Sequence, residues 1–130
     1  MDQCFFAYRV EVDAAWRTRS VRVEGWVGSE RFTFALDAPL PDGCIDVDLG
    51  FTPSTNTLPI RRLGLAVGEE AQVSAAWLRY PALTLERLDQ TYRRTGERTW
   101  QYTSATGFTA ALEVDERGLV RTYEGGWVTE

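Results

Sequence analysis

Gly43-Cys-Ile-Asp-Val-Asp-Leu-Gly-Phe-Thr-Pro-Ser-Thr-Asn-Thr-Leu-Pro-Ile-Arg-Arg-Leu63 is the stretch on which the reading of this chain turns. Its first third alternates. Ile45, Val47 and Leu49 fall on one side, Asp46 and Asp48 on the other, which is the period of a strand with a carboxylate face. Gly50 ends or bulges that strand. The run Thr52-Pro-Ser-Thr-Asn-Thr57 is too polar and too rich in turn formers to continue it. Leu58-Pro59-Ile60 resumes an extended path, because a residue before proline is pushed toward the β region, and 61–67 reads as a further strand. The stretch therefore predicts a strand, a polar turn and an extended return that ends in two arginines.

The same alternation recurs on either side. Upstream, Phe6, Tyr8, Val10 and Val12 share one face of a strand and Arg9, Glu11 and Asp13 the other. A second strand runs from Trp16 to Val27, and Gly28-Ser29 makes a two-residue hairpin turn. The return strand over 31–36 turns Phe32, Phe34 and Leu36 inward, and the prolines and Asp42-Gly43 of 37–43 break it. Downstream, 72–79 is a strand with Val73, Ala75 and Trp77 on one face. Residues 83–94 read as a strand whose apolar phase switches from Leu83 and Leu85 to Leu88 and Tyr92, which predicts a β-bulge near Arg87. A helix is the rival reading there, since Leu85, Leu88 and Tyr92 also fit a helical stripe. Hairpins join 98–104 to 108–114, and 119–123 is the last strand before a tail over 124–130. About nine strands at short spacing, without a confident helix, predict an all-β chain: antiparallel meander connections in a strongly curved sheet, half-barrel to barrel.

Composition narrows the chemistry. At 130 residues the chain has room for one domain with one core, and a single β domain over 1–130 is expected. There is no histidine, and all fourteen cationic residues are arginine. The commonest general base and metal ligand is thus missing, and so is the amine needed for Schiff-base chemistry. Neither Ser54 nor Cys4 nor Cys44 has a histidine or lysine to activate it as a nucleophile. The two cysteines lack a metal-binding spacing and are expected as buried free thiols. A net charge of −5 and the lack of a basic stretch argue against nucleic acid as a partner. No run is long and apolar enough to span a membrane and no targeting segment is visible, so a cytoplasmic location is expected. No cofactor and no metal site are expected.

Three groups remain that could carry a function. Asp46 and Asp48, two residues apart on a strand, lie about 7 Å apart on one face. They suit a carboxylate pair for acid/base work or one end of a cation site, or else they are exposed or pair with arginines of a neighbouring strand. Arg61 and Arg62 are read as neighbours on a strand, pointing to opposite faces; one could close onto the Asp face or capture an anionic head group. The hydroxyls of 52–57, with Thr55 and Asn56 among them, can line a polar pocket or satisfy the backbone of a tight loop. Trp16, Trp26, Trp77, Trp100, Tyr8, Tyr92 and Tyr102 can fill a core or wall a cavity.

The 43–63 stretch resembles the signature of a bacterial family described as glycolipid-binding. Trp16-Arg-Thr-Arg19, Gln90-Thr-Tyr92 and Val114-Asp-Glu-Arg-Gly-Leu-Val120 followed by Tyr123 agree with it, so the resemblance runs over nearly the whole chain. It implies a curved antiparallel half-barrel similar in shape to bacterial lipoprotein carriers, and no catalytic residues. Relatives carry further β-rich sequence ahead of the segment matching Tyr8; an exposed sheet edge and a homodimer through it are expected in its absence. The reading that follows is a non-enzymatic binder of a lipid or glycolipid in an apolar cavity. Trp16, Arg19, Asp46, Asp48, Thr55, Asn56, Arg61, Arg62, Trp77 and Tyr92 are its ligand-binding candidates. The alternatives are a structural or oligomeric β scaffold and a carboxylate-dependent hydrolase using Asp46 and Asp48.

Overall fold

The chain folds as two β-sheets that share a core, with one short helix wedged at their junction. The computed structural model describes residues 4–80, 82–123 and 127–128. In order they form β1 (Cys4–Val12), β2 (Thr18–Val27), β3 (Glu30–Asp37), β4 (Asp46–Leu49), α1 (Thr57–Leu63), β5 (Glu70–Leu78), β6 (Leu85–Arg94), β7 (Thr99–Ser104), β8 (Thr109–Val114), β9 (Val120–Tyr123) and β10 (Trp127–Val128). Single 3-10 turns occupy Pro41–Gly43 and Pro53–Asn56. The tail read over 124–130 lies outside the described residues apart from β10, and so does Pro81.

The small sheet is the antiparallel meander β1-β2-β3, and β1 is one of its edges. The large sheet has the order β10-β9-β8-β7-β6-β5-β4 and curves strongly into a half-barrel. All its neighbours are antiparallel except β4 and β5, which pair in parallel from Asp46↔Ala75 to Leu49↔Leu78. That pair departs from the expected meander. A parallel pair needs a crossover, and the chain from Gly50 to Glu69 supplies it.

The crossover contains the feature that the sequence reading missed. Residues 57–63 are helical, not extended, and the strand expected over 61–67 does not form: 61–63 complete the helix and 64–69 are turn and irregular chain. Pro59 sits in the first turn, where a backbone N–H has no helical partner and proline costs nothing. The Thr52 hydroxyl accepts from the Ser54 amide and starts the preceding 3-10 turn. Gly64 closes the helix in the left-handed conformation at φ 56°. Arg61 and Arg62 lie in the last turn, where the carbonyl end favours cations.

Two faces of β5 and β6 are covered by different partners. Val47, Leu49 and Leu78 meet Val21, Val23 and the inward rings of Phe32 and Phe34 between the sheets, with Leu85 packed against them. On the concave face Val73, Tyr92, Trp100, Tyr102, Leu112, Val114 and Val120 form a second cluster with Ile60. α1 bridges both: Leu58 belongs to the first and Ile60 to the second. This explains the phase switch in β6. Leu85 faces the small sheet and Leu88 faces the concavity, while the β5–β6 register runs unbroken from Glu70↔Arg93 to Leu78↔Leu85. The expected bulge near Arg87 is absent; the switch marks a change of covered face along a regular strand. Cys44 is a buried free thiol, and the side chain of Cys4 is not among those described. No helix among the described residues is long and apolar enough to cross a membrane.

Gly25 sits in the middle of β2, where glycine ordinarily weakens a strand. A Cβ there would lie 2.8 Å from the Phe6 ring and only 1.9 Å from the Phe5 carbonyl oxygen. The bare backbone lets Phe6 and Phe32 meet edge to face at 6.2 Å across it. Gly25→Ala is expected to destabilise the chain by about 3 kcal/mol, read as a lower urea midpoint with an unchanged slope.

Candidate functional site

With Val47 and Leu49 committed to the intersheet core, the alternation of β4 leaves Asp46 and Asp48 pointing into the concave face. Their surroundings then diverge. Asp46 is 1% exposed and is held by Arg62, Nη2 to Oδ2 at 2.6 Å and Nε to Oδ1 at 3.4 Å. Burial pushes its carboxyl up, and the hydrogen bond and charge of Arg62 pull it back. The pair ties the end of α1 to the start of β4.

Asp48 is half-buried and opens onto a cavity of about 380 Å³. Gln90 Nε2 donates to its Oδ2 at 2.7 Å and to the Tyr102 hydroxyl oxygen at 2.9 Å. Asn56 Nδ2 donates to the hydroxyl oxygen of Tyr92 at 2.7 Å, at the base of the same space. The walls are Phe51, Trp77, Phe108, Tyr102 and Tyr123, with Leu88 below. Phe108 and Tyr123 stack at 6.2 Å, and Phe108 is 50% exposed at the rim. The arrangement is an aromatic bowl with a carboxylate, an amide and phenol groups at its floor.

The electrostatics follow from burial. Desolvation raises the Asp48 carboxyl to about 6, with Gln90 pulling down and the charge of Asp46 pushing up. Burial and then the Asp48 charge raise all three tyrosines: Tyr123 to about 12, Tyr102 further, and Tyr92 well above its ordinary value. At neutral pH the floor therefore carries one carboxylate and protonated phenols.

The ten sequence candidates separate clearly. Asp48, Asn56 and Trp77 line the cavity. Tyr92 is fully buried beneath it as the acceptor for Asn56. Asp46 and Arg62 meet each other and do not line it. Thr55 accepts the backbone N–H of Leu49 at 3.2 Å, closing the outer edge of β4. Arg61 is elsewhere: its guanidinium lies over the Trp16 ring at 4.7 Å and donates to the Arg117 carbonyl at 3.0 Å. Trp16, at φ 64°, is held in a turn built on Asp13, which accepts from the Ala15 and Arg17 amides. Arg19 is exposed on β2 of the small sheet. Sequence reasoning did not place Gln90, Phe51, Phe108 or Tyr123 among the ligand-binding candidates. The signal for Gln90 was present, because it occupies an inward position between Leu88 and Tyr92, where a polar side chain requires a buried partner.

Two other concavities are less suited to a ligand. One of about 550 Å³ lies beside the start of β5, and its charges are spent on each other: Arg87 donates to Asp89, Ser74 and the Asp42 carbonyl. The other is a groove across the outer face of β1–β3, lined by Ala7, Ala35 and charged neighbours. No group of acidic, cysteine and histidine side chains among the described residues is placed to hold a metal ion.

The half-barrel with its flanking sheet is a known architecture. A crystal structure of a DUF1089 family protein from Pseudomonas aeruginosa, at 1.80 Å resolution, matches it with a TM-score of 0.89 and 32% identity, over 99% of this chain and 79% of that one. The chain belongs to the family described as "Putative glycolipid-binding", whose model spans residues 1–129. The resemblance carried by the 43–63 stretch is thus one of shared family. No curated protein matches the chain.

Two stability predictions follow from the diverging aspartates. Arg62→Ala strands the Asp46 charge and is expected to cost about 3–5 kcal/mol, whereas replacing both partners with leucine recovers most of that loss in urea unfolding. Asp48 behaves oppositely. A carboxyl near 6 when folded, against 3.8 ordinarily, binds its proton more tightly in the folded chain. Its charge lowers stability by up to about 3 kcal/mol above pH 6, and the loss fades as pH falls to about 4. Asp48→Asn is expected to raise the thermal midpoint at pH 7.5, with the gain shrinking toward pH 4.

Proposed function

We propose that the chain binds the sugar head group of a glycolipid, without catalysis, in the cavity between β4, β6, β7 and β9. The observation that carries this reading is the composition of the bowl. Flat aromatic faces at Phe51, Trp77, Phe108 and Tyr123 suit the apolar faces of sugar rings. Asp48, Asn56 and the phenols supply the few placed polar groups that orient a ligand. A volume of about 380 Å³ falls within the range of small-molecule sites. Phe108 at the rim offers an apolar exit for an acyl chain. The family description supports the same class of ligand.

The hydrolase reading is weaker on one specific point. Asp46 is sealed by Arg62 and lies outside the cavity lining, so a ligand at Asp48 does not meet a second carboxylate from β4.

Native mass spectrometry of protein purified from its host is expected to show a co-purifying glycolipid. Octyl β-glucoside, titrated below its micelle concentration, is expected to shift tryptophan fluorescence through Trp77. Trp77→Phe should abolish most of that change and Phe108→Ala should weaken binding. A ligand-free mass together with a silent titration would refute the proposal.

A further inference from the structure

We infer that the cavity selects an uncharged head group bearing adjacent hydroxyls, that the Asp48 carboxylate is the acceptor those hydroxyls share, and that anionic head groups are turned away. The inference rests on the proposed sugar-binding role of this cavity and adds its specificity.

The first support is the geometry of the carboxylate. Asp48 uses Oδ2 to accept from Gln90 at 2.7 Å. Among the described residues no hydrogen bond reaches Oδ1, and it is not one of their sealed, unpartnered side-chain atoms. Asp48 lines the cavity, which leaves Oδ1 there as an acceptor that no described residue uses. A carboxylate has lone pairs for two hydroxyl donors, and hydrogen bonds to a charged acceptor are about twice as strong as neutral ones.

The second support is the distribution of charge. Among the described residues no arginine lines the cavity. Arg62, on the helix above, is committed to Asp46 at 2.6 Å. Arg79 sits behind the wall with its guanidinium over the Trp77 ring at 5.0 Å, paired with Glu86 at 2.9 Å. A phosphate or sulfate entering the bowl would meet the Asp48 charge with no cation to offset it, in a site where burial weakens screening. A neutral polyol meets an acceptor and aromatic faces.

The groups facing Asp48 also bear on its pH response. They are Asp46 on its own strand, Asn56 before α1, Gln90 and Tyr92 on β6, Tyr102 on β7 and Tyr123 on β9. The tyrosines remain protonated well above neutrality, and Asp46 is locked to Arg62. Asp48, at about 6, is the group whose charge changes between pH 7.5 and pH 5. Protonation removes an acceptor, so sugar binding should weaken on acidification.

The test compares three probes with one tail: octyl β-glucoside, octyl phosphate and octyltrimethylammonium, titrated calorimetrically at pH 7.5 and pH 5 into wild type and Asp48→Asn. The wild type is expected to bind the glucoside at least tenfold more tightly than the phosphate at pH 7.5. That affinity should fall severalfold at pH 5. Asp48→Asn should lose about tenfold for the glucoside and lose the pH dependence, while circular dichroism confirms an intact fold. Equal or tighter binding of octyl phosphate overturns the inference while leaving the cavity reading standing, provided Phe108→Ala weakens it. Tighter binding of the ammonium probe also overturns the inference, since the bowl would then be a cation cage. If no probe binds the wild type, the sugar-binding proposal and the inference fall together. The pH profile of the wild type decides the question without the variant.

Discussion

Arg62 reaches back sixteen positions to bury its guanidinium against Asp46, and the rest of the structure is arranged around that closure. β4 is four residues long, and both of its faces are covered. One packs on the small sheet through Val47 and Leu49; the other looks into the half-barrel. Among the described residues no strand pairs with its outer edge. The chain that follows fills that place: Thr55 takes the Leu49 amide, α1 lies along the junction, and Arg62 neutralises the buried Asp46 carboxylate. A lone charge in that position would be untenable, so the helix and the strand need each other. The same closure fixes the far end of the helix. Thr57 donates to the Gly118 carbonyl at 2.7 Å, and Arg61 bridges Trp16 to the Arg117 carbonyl. One short crossover thereby joins the β1–β2 turn, β4 and the β8–β9 turn.

Closing one carboxylate leaves the other open. Asp48 shares a strand face with Asp46 but sits beyond the reach of α1, where the helix gives way to the 3-10 turn and Asn56. Gln90 alone satisfies part of it. A strand selected for stability would not keep a desolvated, half-satisfied carboxyl beneath aromatic rings, because burying charge without a full set of partners is costly. Polar groups retained against stability concentrate at functional positions. The surrounding hydrogen bonds are consistent with this. Gln90 links Asp48 to Tyr102, and Asn56 is anchored on Tyr92, so hydrogen bonds orient the polar groups of the floor.

Much of the fold was written in residues of alternating character. The strands β1, β2, β3, β7 and β8 each hide one face, so their inward and outward residues differ and the period of two is visible. The helix was not legible in the same way. Leu58 precedes a proline, which ordinarily forces extension, and tertiary contacts override it: Leu58 and Ile60 pack onto two different cores, and Thr57 and Arg62 bond to distant elements. The phase switch in β6 misled for a related reason: a strand covered on opposite faces at its two ends imitates a bulge. For the site, the carboxylate face of β4 could be read directly, and so could its two outcomes, pairing with arginine or opening to a pocket. Both occur, one for each aspartate. Which aspartate took which partner depended on the path of the crossover, and that path is a tertiary fact. Phe51, Phe108 and Tyr123 come to the cavity from separate elements and left no local signal.

The central claim is that Asp48 is a solvent-reachable, desolvated carboxylate whose charge serves a bound sugar. Its side-chain carboxyl carbon can be followed by NMR through a pH titration, with and without octyl β-glucoside. The account predicts a midpoint near 6 in the free protein. It also predicts a lower midpoint with the sugar present, because hydroxyl donors favour the charged form. A midpoint near 4 in the free protein, unmoved by the glucoside, would contradict it.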